Sequence, residues 1–172
     1  MINLNQEWIK PKKPIPIVIF GAGSIANDAH LPAYEKSGFK VLGIYDPDIE
    51  KAQNLATKFN LDIFHSLEEA IDQENVIFDL ATPPEVHTEI LKFLPEKSGV
   101  LIQKPMGSNL DEATKILEIC NARSLKAAVN FQLRFAPMMI ALKDAINSGL
   151  LGTIVDFDAW LAIAKKSSYK NF

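Results

Sequence analysis

The feature that most constrains this chain is a glycine-rich turn directly after a short apolar run. Residues 15–20 read Ile-Pro-Ile-Val-Ile-Phe, and Gly21-Ala22-Gly23-Ser24-Ile25-Ala26 follow at once. An apolar, β-branched run of this length predicts a buried strand. Two glycines one residue apart predict a tight turn, and the small Ala26 allows the next helix to lie close to the strand. This segment therefore predicts the first unit of a fold in which strands and helices alternate.

The rest of the chain repeats this alternation. Further strands are predicted at 41–45, 62–64, 76–81, 100–103 and 126–131, and helices at 25–36, 48–59, 66–72, 85–94, 109–123 and 136–148. Pro32 is expected to kink or divide the first helix, because it lacks a backbone donor. Ser66 and Asn109 begin capping boxes. Short apolar strands between amphipathic helices predict an α/β fold of the Rossmann type, a doubly wound six-stranded parallel sheet.

Length and composition limit the other classes of protein. The 172 residues correspond to about one domain. A net charge of −3 gives no general attraction to nucleic acid or to anionic membranes. The single cysteine, Cys120, cannot form an intramolecular disulfide and is expected to be an inert buried thiol. Without an apolar leader or a membrane-length apolar stretch, the chain is predicted to be cytoplasmic.

The sequence pattern changes after Gly149. Val155, Phe157, Ala159 and Leu161 alternate with other residues, which predicts a strand with one open side. The predicted organisation is a dinucleotide-binding domain over 1–149, followed by residues 150–172 as the start of a truncated α+β second domain. This strand is expected to pack on its own domain, to pair with a second copy in a homo-oligomer, or to be disordered.

The turn and the second strand together indicate a dinucleotide site. The amide groups at a helix N-terminus bind phosphate, and Gly23 lets a pyrophosphate approach the backbone. Asp46 ends the second strand, where an acid binds the ribose hydroxyls and repels a 2′-phosphate. No arginine follows nearby, so NAD is predicted rather than NADP. The alternative for Asp46 is a structural turn or N-cap acid.

Four further motifs resemble those of one enzyme family. They are His30-Leu31-Pro32-Ala33, Ala81-Thr82-Pro83-Pro84-Glu85-Val86-His87, Gln103-Lys104-Pro105 and Phe131-Gln132-Leu133-Arg134-Phe135. In this order, after these strands, the set resembles the glucose–fructose oxidoreductase/inositol dehydrogenase/MocA family of NAD(P)-dependent oxidoreductases. The resemblance covers about residues 15–161, and it implies hydride transfer to or from a hydroxyl-bearing carbon of a sugar or cyclitol.

The resemblance also implies roles for single residues. Lys104 corresponds to the family's lysine, which contacts substrate and nicotinamide ribose and assists proton transfer; Gln103 stands where the family has glutamate. The alternative for Lys104 is a surface lysine at a strand end. The cofactor-binding set implied by the turn, the acid and these motifs is Gly21, Ala22, Gly23, Ser24, Ile25, Asp46, Ala81, Thr82, Pro83, His87, Gln103, Lys104 and Gln132.

Some of these residues have a structural alternative of nearly equal weight. His87 either faces the nicotinamide or is a helix-start histidine bonded to a neighbouring carbonyl group. His30 is expected to pack beneath the cofactor. Arg134 is either a substrate contact or a salt-bridge partner, and His65 has no assigned role. No cluster with metal-ligand spacing is visible in the sequence.

Two other functions compete with an oxidoreductase. The first is a non-catalytic dinucleotide-binding module or regulator, which Gln103 and the length of the chain favour. The second is a structural or interaction protein that binds no dinucleotide. Measuring NAD binding together with turnover separates the three.

Overall fold

The computed structural model describes residues 3–160 and residue 162. Within them, six strands form one parallel sheet in the order β3-β2-β1-β4-β5-β6. The strands are β1 (Ile17–Phe20), β2 (Val41–Tyr45), β3 (Asp62–Ile63), β4 (Ile77–Leu80), β5 (Gly99–Ile102) and β6 (Lys126–Val129). The predicted doubly wound sheet is confirmed.

The helices lie between the strands as the sequence pattern predicts. They are α1 (Leu31–Ser37), α2 (Ile49–Phe59), α3 (Leu67–Ile71), α4 (His87–Phe93), α5 (Leu110–Ala122) and α6 (Pro137–Asn147). A π-helical segment, Ala26–His30, precedes α1, and 3₁₀ turns cover Pro84–Val86 and Gln132–Phe135. None of the described helices is long and apolar enough to cross a membrane.

The chain divides into two units. Ile9–Gln132 forms one unit and holds the whole sheet with α1 to α5. The described residues of the other unit are 3–8, 133–160 and 162, and they include α6. In this second unit the rings of Trp8 and Phe135 pack edge to face with centroids 5.0 Å apart.

Apolar side chains cover both faces of the sheet. One face carries Ile19, Ile44 and the inner residues of α2, and the other carries Phe20, Phe78 and the inner residues of α4 and α5. Cys120 lies in the second layer, and burial raises the pKa of its thiol. The prediction of an inert buried thiol agrees with this position, because a reactive cysteine needs exposed thiolate.

Local signals in the sequence set several helix ends. The side chains of Ser66 and Asn109 accept hydrogen bonds from the backbone N–H groups of Glu69 and Glu112, at 3.1 and 2.9 Å. Both predicted N-caps are therefore present, but the reciprocal bonds of a capping box differ: Glu69 and Glu112 accept from the N–H groups of His65 and Ser108, one residue before each N-cap. The first helix is not interrupted at Pro32: it changes from π-helical to α-helical hydrogen bonding between His30 and Leu31, and Pro32 lies in the first turn of α1.

The strand predicted from the alternation at Val155, Phe157 and Ala159 is not found. Described residues 154–160 belong to no helix or strand, and Leu161 lies outside the described residues. Val155 and Trp160 are 92% and 97% exposed. The prediction was wrong for these residues, because an alternating pattern becomes a strand only when a neighbouring strand exchanges hydrogen bonds with it, and none of the described residues does so.

The strand order determines where a ligand can bind. β1 lies between β2 and β4, so the chain leaves β1 toward one edge of the sheet and later returns to its other side. In open α/β sheets, ligands bind at this switch point, outside the carboxyl ends of the strands. The predicted site residues all belong to segments that follow β1, β2, β4, β5 or β6 at that end.

Candidate functional site

Backbone geometry shapes the turn after β1, the phosphate loop (residues 21–26). Gly21 has φ of +99°, and a Cβ atom there would lie 2.6 Å from the carbonyl oxygen of Ala81. A side chain is therefore excluded by both conformation and space. At Gly23, by contrast, an added Cβ would meet no atom within 4 Å. The first glycine is required by the protein itself, and the space beside the second is open to a ligand.

The backbone amide groups of the phosphate loop lie at the start of a helix. The first backbone bond after the loop runs from the Asn27 N–H to the Gly23 carbonyl oxygen, at 3.1 Å. The preceding N–H groups, those of Ser24, Ile25 and Ala26, belong to the first helical turn and have no acceptor within the helix. Such groups, together with the helix dipole, bind phosphate.

Two backbone N–H groups fix the carboxylate of Asp46. The N–H of Ala22 donates to Oδ2 at 2.7 Å, and the N–H of Asp48 donates to Oδ1 at 2.8 Å. Each oxygen can accept a further hydrogen bond, so the carboxylate is oriented and still available to hydroxyl groups. The nearby cation, Lys51, is engaged elsewhere, with its Nζ 2.9 Å from Oδ2 of Asp48.

The segment after β4 lies against the phosphate loop. The methyl group of Thr82 would be 3.1 Å from a Cβ at Gly21, and Ala81 is buried. The hydroxyl oxygen of Thr82 is buried, and no hydrogen-bond partner is found for it among the described residues. An unpaired buried hydroxyl costs free energy, which a ligand oxygen or a water would recover. Pro83, next to it, is exposed.

The contacts of His87 fit its structural alternative. The side chain has no exposed surface, and its two ring nitrogens lie 3.1 Å from the carbonyl oxygens of Thr82 and Met106. It thus connects the segment after β4 to the segment after β5. Its contribution to the site is to hold these two backbones together.

Lys104 and Gln103 both follow β5, but their side chains differ in exposure. Lys104 is exposed, whereas Gln103 is buried. The Lys104 N–H donates to the Gln103 side-chain oxygen at 2.7 Å, and the Gln103 N–H donates to the Leu80 carbonyl oxygen at 3.1 Å. Gln103 therefore anchors the strand end from which Lys104 projects.

Beneath this edge lies a set of side chains that we call the buried polar cluster: His30, Tyr34, Asp79, Gln103 and Asn130. His30 Nδ1 lies 2.7 Å from Asp79 Oδ2, and the Tyr34 hydroxyl donates to the same oxygen at 2.8 Å. On the other side of the ring, His30 Nε2 lies 2.9 Å from Gln103 Nε2 and 3.1 Å from Asn130 Nδ2. The cluster joins the first helix to the ends of β4, β5 and β6.

Asp79 is the charged centre of the cluster. It is 0% exposed, and its Oδ1 has no hydrogen-bond partner among the described residues. Desolvation, with the adjacent charge of Asp79, raises the pKa of the Tyr34 phenol well above its ordinary range. Tyr34 therefore remains a hydrogen-bond donor, and it helps to solvate the buried carboxylate.

Sequence reasoning did not identify Tyr34, Asp79 or Asn130. Asp79 did carry a signal, because a charged residue inside the apolar run Ile77-Phe78-Asp79-Leu80 must find partners in the core. Tyr34 and Asn130 gave none, since polar residues are ordinary on a helix and after a strand. His30 was placed beneath the cofactor site without its partners.

The remaining predicted residues are on the surface. Gln132 and Arg134, in the turn after β6, are exposed. His65 contributes its backbone N–H to Glu69 Oε2 at 2.6 Å, which completes a helix cap. Among the described residues, no group of three His, Cys, Asp or Glu side chains is arranged to hold a metal ion.

A large cavity lies at the opposite end of the sheet. It has a volume of about 1110 Å³ and is lined by the first residues of several strands, among them Ile17, Ile77 and Lys126. None of the predicted site residues lines this cavity. We therefore place the candidate site at the carboxyl edge, where the polar groups converge, and not in the larger space.

Comparison with known proteins gives consistent matches. The model of an oxidoreductase family with an NAD-binding Rossmann fold matches residues 15–131. Glucose-6-phosphate 3-dehydrogenase of Bacillus subtilis is 30% identical over 141 residues, covering 81% of this chain and 40% of its own length. Inositol 2-dehydrogenase of Rubrobacter xylanophilus is 26% identical over 153 residues, covering 85% and 43%.

A solved structure shows the same fold. The WlbA dehydrogenase of Bordetella pertussis, in complex with NADH and UDP-GlcNAcA, superimposes with a TM-score of 0.67 at 24% identity. The match covers 81% of this chain and 44% of that one. The chain thus spans about two fifths of the length of the curated relatives that it matches.

Proposed function

Since the chain belongs to the Gfo/Idh/MocA family of oxidoreductases with an NAD-binding Rossmann fold, we propose that it binds NAD in preference to NADP and takes part in hydride transfer to or from a hydroxyl-bearing carbon of a sugar or cyclitol. Residues 1–149 would form the cofactor domain, and residues 150–172 would begin the substrate domain. A second copy pairing along residues 154–161 would supply the neighbour that an alternating strand needs.

The observation that carries the proposal is the convergence of three groups at one edge of the sheet. The phosphate loop offers free amide groups beside the open space at Gly23. Asp46 is held by two backbone donors with acceptor capacity remaining. Thr82 has a buried hydroxyl without a partner in the described structure. These groups fit a pyrophosphate, a ribose and a further polar group of the same ligand.

The preference for NAD rests on the charges around Asp46. A carboxylate repels the 2′-phosphate of NADP and accepts hydrogen bonds from a free 2′-hydroxyl. Lys51, which might neutralise a phosphate, is paired with Asp48, and the hydrogen bond to Asp48 raises the pKa of Lys51. The charge of Asp46 also acts on Lys51, but the hydrogen bond and the ion pair of the lysine go to Asp48.

Lys104 is the proposed catalytic residue. NAD, when bound, supplies the hydride chemistry. The ammonium group of Lys104 projects from the sheet edge and would donate to the substrate oxygen, which stabilises negative charge developing there. Gln103 fixes the backbone of Lys104 from below.

Titration calorimetry of the full chain with NAD and with NADP tests the cofactor proposal. We expect NAD to bind at least about tenfold more tightly, a difference of about 1.4 kcal/mol. Asp46→Ala should weaken NAD binding and reduce the discrimination. Asp72→Ala removes an exposed acid after α3 and is the matched control, with no change expected. A wild-type chain that binds neither nucleotide at millimolar concentration would contradict the proposal.

Turnover separates the enzyme from a non-catalytic dinucleotide-binding module. The neutral Gln103 at a position where the family has glutamate favours the module, because a carboxylate beside the lysine is missing. Reduction of NAD by a panel of polyols, abolished in Lys104→Met, supports the enzyme. NAD binding without turnover over the whole panel supports the module.

A further inference from the structure

The orientation of the Gln103 amide is fixed by its neighbour. A backbone N–H can only donate, so the group 2.7 Å from the Lys104 nitrogen must be the side-chain oxygen. The NH₂ group then points the other way, toward His30 Nε2 at 2.9 Å. Rotating the amide by half a turn would place two donors against each other at Lys104.

This orientation determines the protonation of His30. An NH₂ group can only donate, so Nε2 of His30 must be the nitrogen that carries a lone pair and no proton. The proton of the neutral ring then resides on Nδ1, where Asp79 Oδ2 accepts it at 2.7 Å. Gln103, which is 73 positions away in sequence, thereby selects the tautomer of His30.

The other groups around the ring agree with this assignment. The amide nitrogen of Asn130 also faces Nε2, at 3.1 Å, as a second donor. The Tyr34 hydroxyl donates to Asp79 Oδ2 and leaves Nδ1–H as the second donor to that oxygen. Asn130 could turn its oxygen toward a protonated Nε2, but Gln103 cannot, because its oxygen is held by Lys104.

From these contacts we propose that Gln103 is a positioning residue with two linked effects: its amide keeps His30 neutral with the proton on Nδ1, and the same amide holds the backbone of Lys104. The inference rests on the proposed function insofar as Lys104 serves the reaction. The tautomer itself is a property of the buried polar cluster, whether or not the chain turns over substrate.

A glutamate at position 103 would act differently. A carboxylate accepts at both oxygens, so it can accept from the Lys104 N–H and from a proton on His30 Nε2 at the same time. The imidazole would then lie between the carboxylates of residues 79 and 103, and a charged ring would be favoured. The choice between amide and acid at this position therefore sets the charge of the ring beneath the site.

Long-range ¹H–¹⁵N correlation spectra of the full wild-type chain at pH 7 measure the tautomer directly. The three histidine rings are assigned through backbone-to-ring correlations, with His65→Gln as a check on one of them. We expect His30 to show one protonated nitrogen, Nδ1, and one unprotonated nitrogen, Nε2. A proton on Nε2, alone or together with Nδ1, would overturn the proposal without any variant being needed.

Variants then test the part played by Gln103. Gln103→Glu should give a His30 ring protonated on both nitrogens, while Gln53→Glu, the same change on the exposed surface of α2, should leave the ring as in wild type. A ring that stays neutral with its proton on Nδ1 in Gln103→Glu would show that Gln103 does not set the protonation of His30.

The Lys104 amide provides a second and independent measurement. In Gln103→Met the acceptor is lost at nearly constant length, and we expect hydrogen exchange of the Lys104 N–H to become about five- to tenfold faster, as the loss of one hydrogen bond implies. Unchanged exchange would overturn the anchoring role. NAD titration of the same samples separates the two ideas: a chain that fails to bind NAD but shows the expected tautomer refutes the proposed function alone.

Discussion

At the ends of β1 and β2 the candidate site is shaped by backbone groups, whereas at the ends of β4, β5 and β6 it rests on side chains buried below the loops. In the first region, a positive φ at Gly21 and two N–H donors to Asp46 define the geometry. In the second, the buried polar cluster connects Lys104 to Asp79 through Gln103 and His30.

The two regions should therefore fail in different ways. The region shaped by backbone groups should lose stability or NAD binding when a side chain is added, because there is no room for the added atoms. A region built on a buried polar network fails when one member is removed, because its partners are left unsatisfied at a cost of about 1–3 kcal/mol each. Substitutions that add atoms in the first region and remove them in the second measure this difference.

The largest effect is expected at the phosphate loop. Gly21→Ala places a Cβ 2.6 Å from a carbonyl oxygen at φ of +99°. Conformational strain and overpacking together should lower the free energy of unfolding by about 2–4 kcal/mol, measured by urea denaturation, and NAD binding should be lost. Gly23→Ala is the matched control, because its Cβ meets open space. It should weaken NAD binding with little change in stability; a large loss of stability at Gly23 would contradict the comparison.

A smaller effect is expected when each region loses its carboxylate. Asp79→Asn should lower the free energy of unfolding by about 2 kcal/mol, because a fully buried acceptor of two hydrogen bonds is altered. Asp46→Asn, at a half-buried position, should cost about 1 kcal/mol or less and reduce NAD affinity more strongly. Denaturation of both variants measures the two losses of stability, and calorimetry measures their NAD affinities. Equal losses of stability would show that the two regions do not differ as we describe.

The smallest effect concerns the Tyr34 hydroxyl. Tyr34→Phe removes one donor to Asp79 and should cost about 1 kcal/mol near neutral pH. Its pH dependence is more specific. The pKa of Tyr34 is raised in the folded protein, so above the ordinary tyrosine pKa near 10 the unfolded chain releases a proton that the folded protein keeps.

Wild-type stability should consequently fall as the pH rises above about 10, and it should fall less steeply in Tyr34→Phe. Denaturant unfolding at pH 9 to 11 measures both slopes. Parallel slopes in wild type and Tyr34→Phe would contradict the role assigned to this contact.

Most of the fold could be predicted because it depends on local signals. Apolar runs gave the strands to within two residues at either end, and Ser66 and Asn109 gave helix starts through bonds to residues three positions away. Gly21 was identified as a turn residue, because the conformation that it adopts is one that other residues avoid.

The rest depends on contacts between distant residues. His30 and Asn130 are 100 positions apart, and no periodicity connects them. The alternating residues 154–160 carried a strand pattern, but a strand forms only with a partner, and the pattern contains no information about one. The role of Gln103 likewise follows from the ring it faces and not from its own neighbours in sequence.

The π-helical segment before α1 adds one residue to the helix. In Ala26–His30 the backbone closes from the Leu31 N–H to the Ala26 carbonyl oxygen, five residues back, where an α-helix closes over four. The helix therefore contains one residue more than an α-helix with the same start and end would have. Deleting one residue here would restore α-helical closure and rotate the imidazole about 100° around the helix axis, away from Asp79. A single extra residue thus keeps the phosphate loop in place while it aims His30 at the sheet.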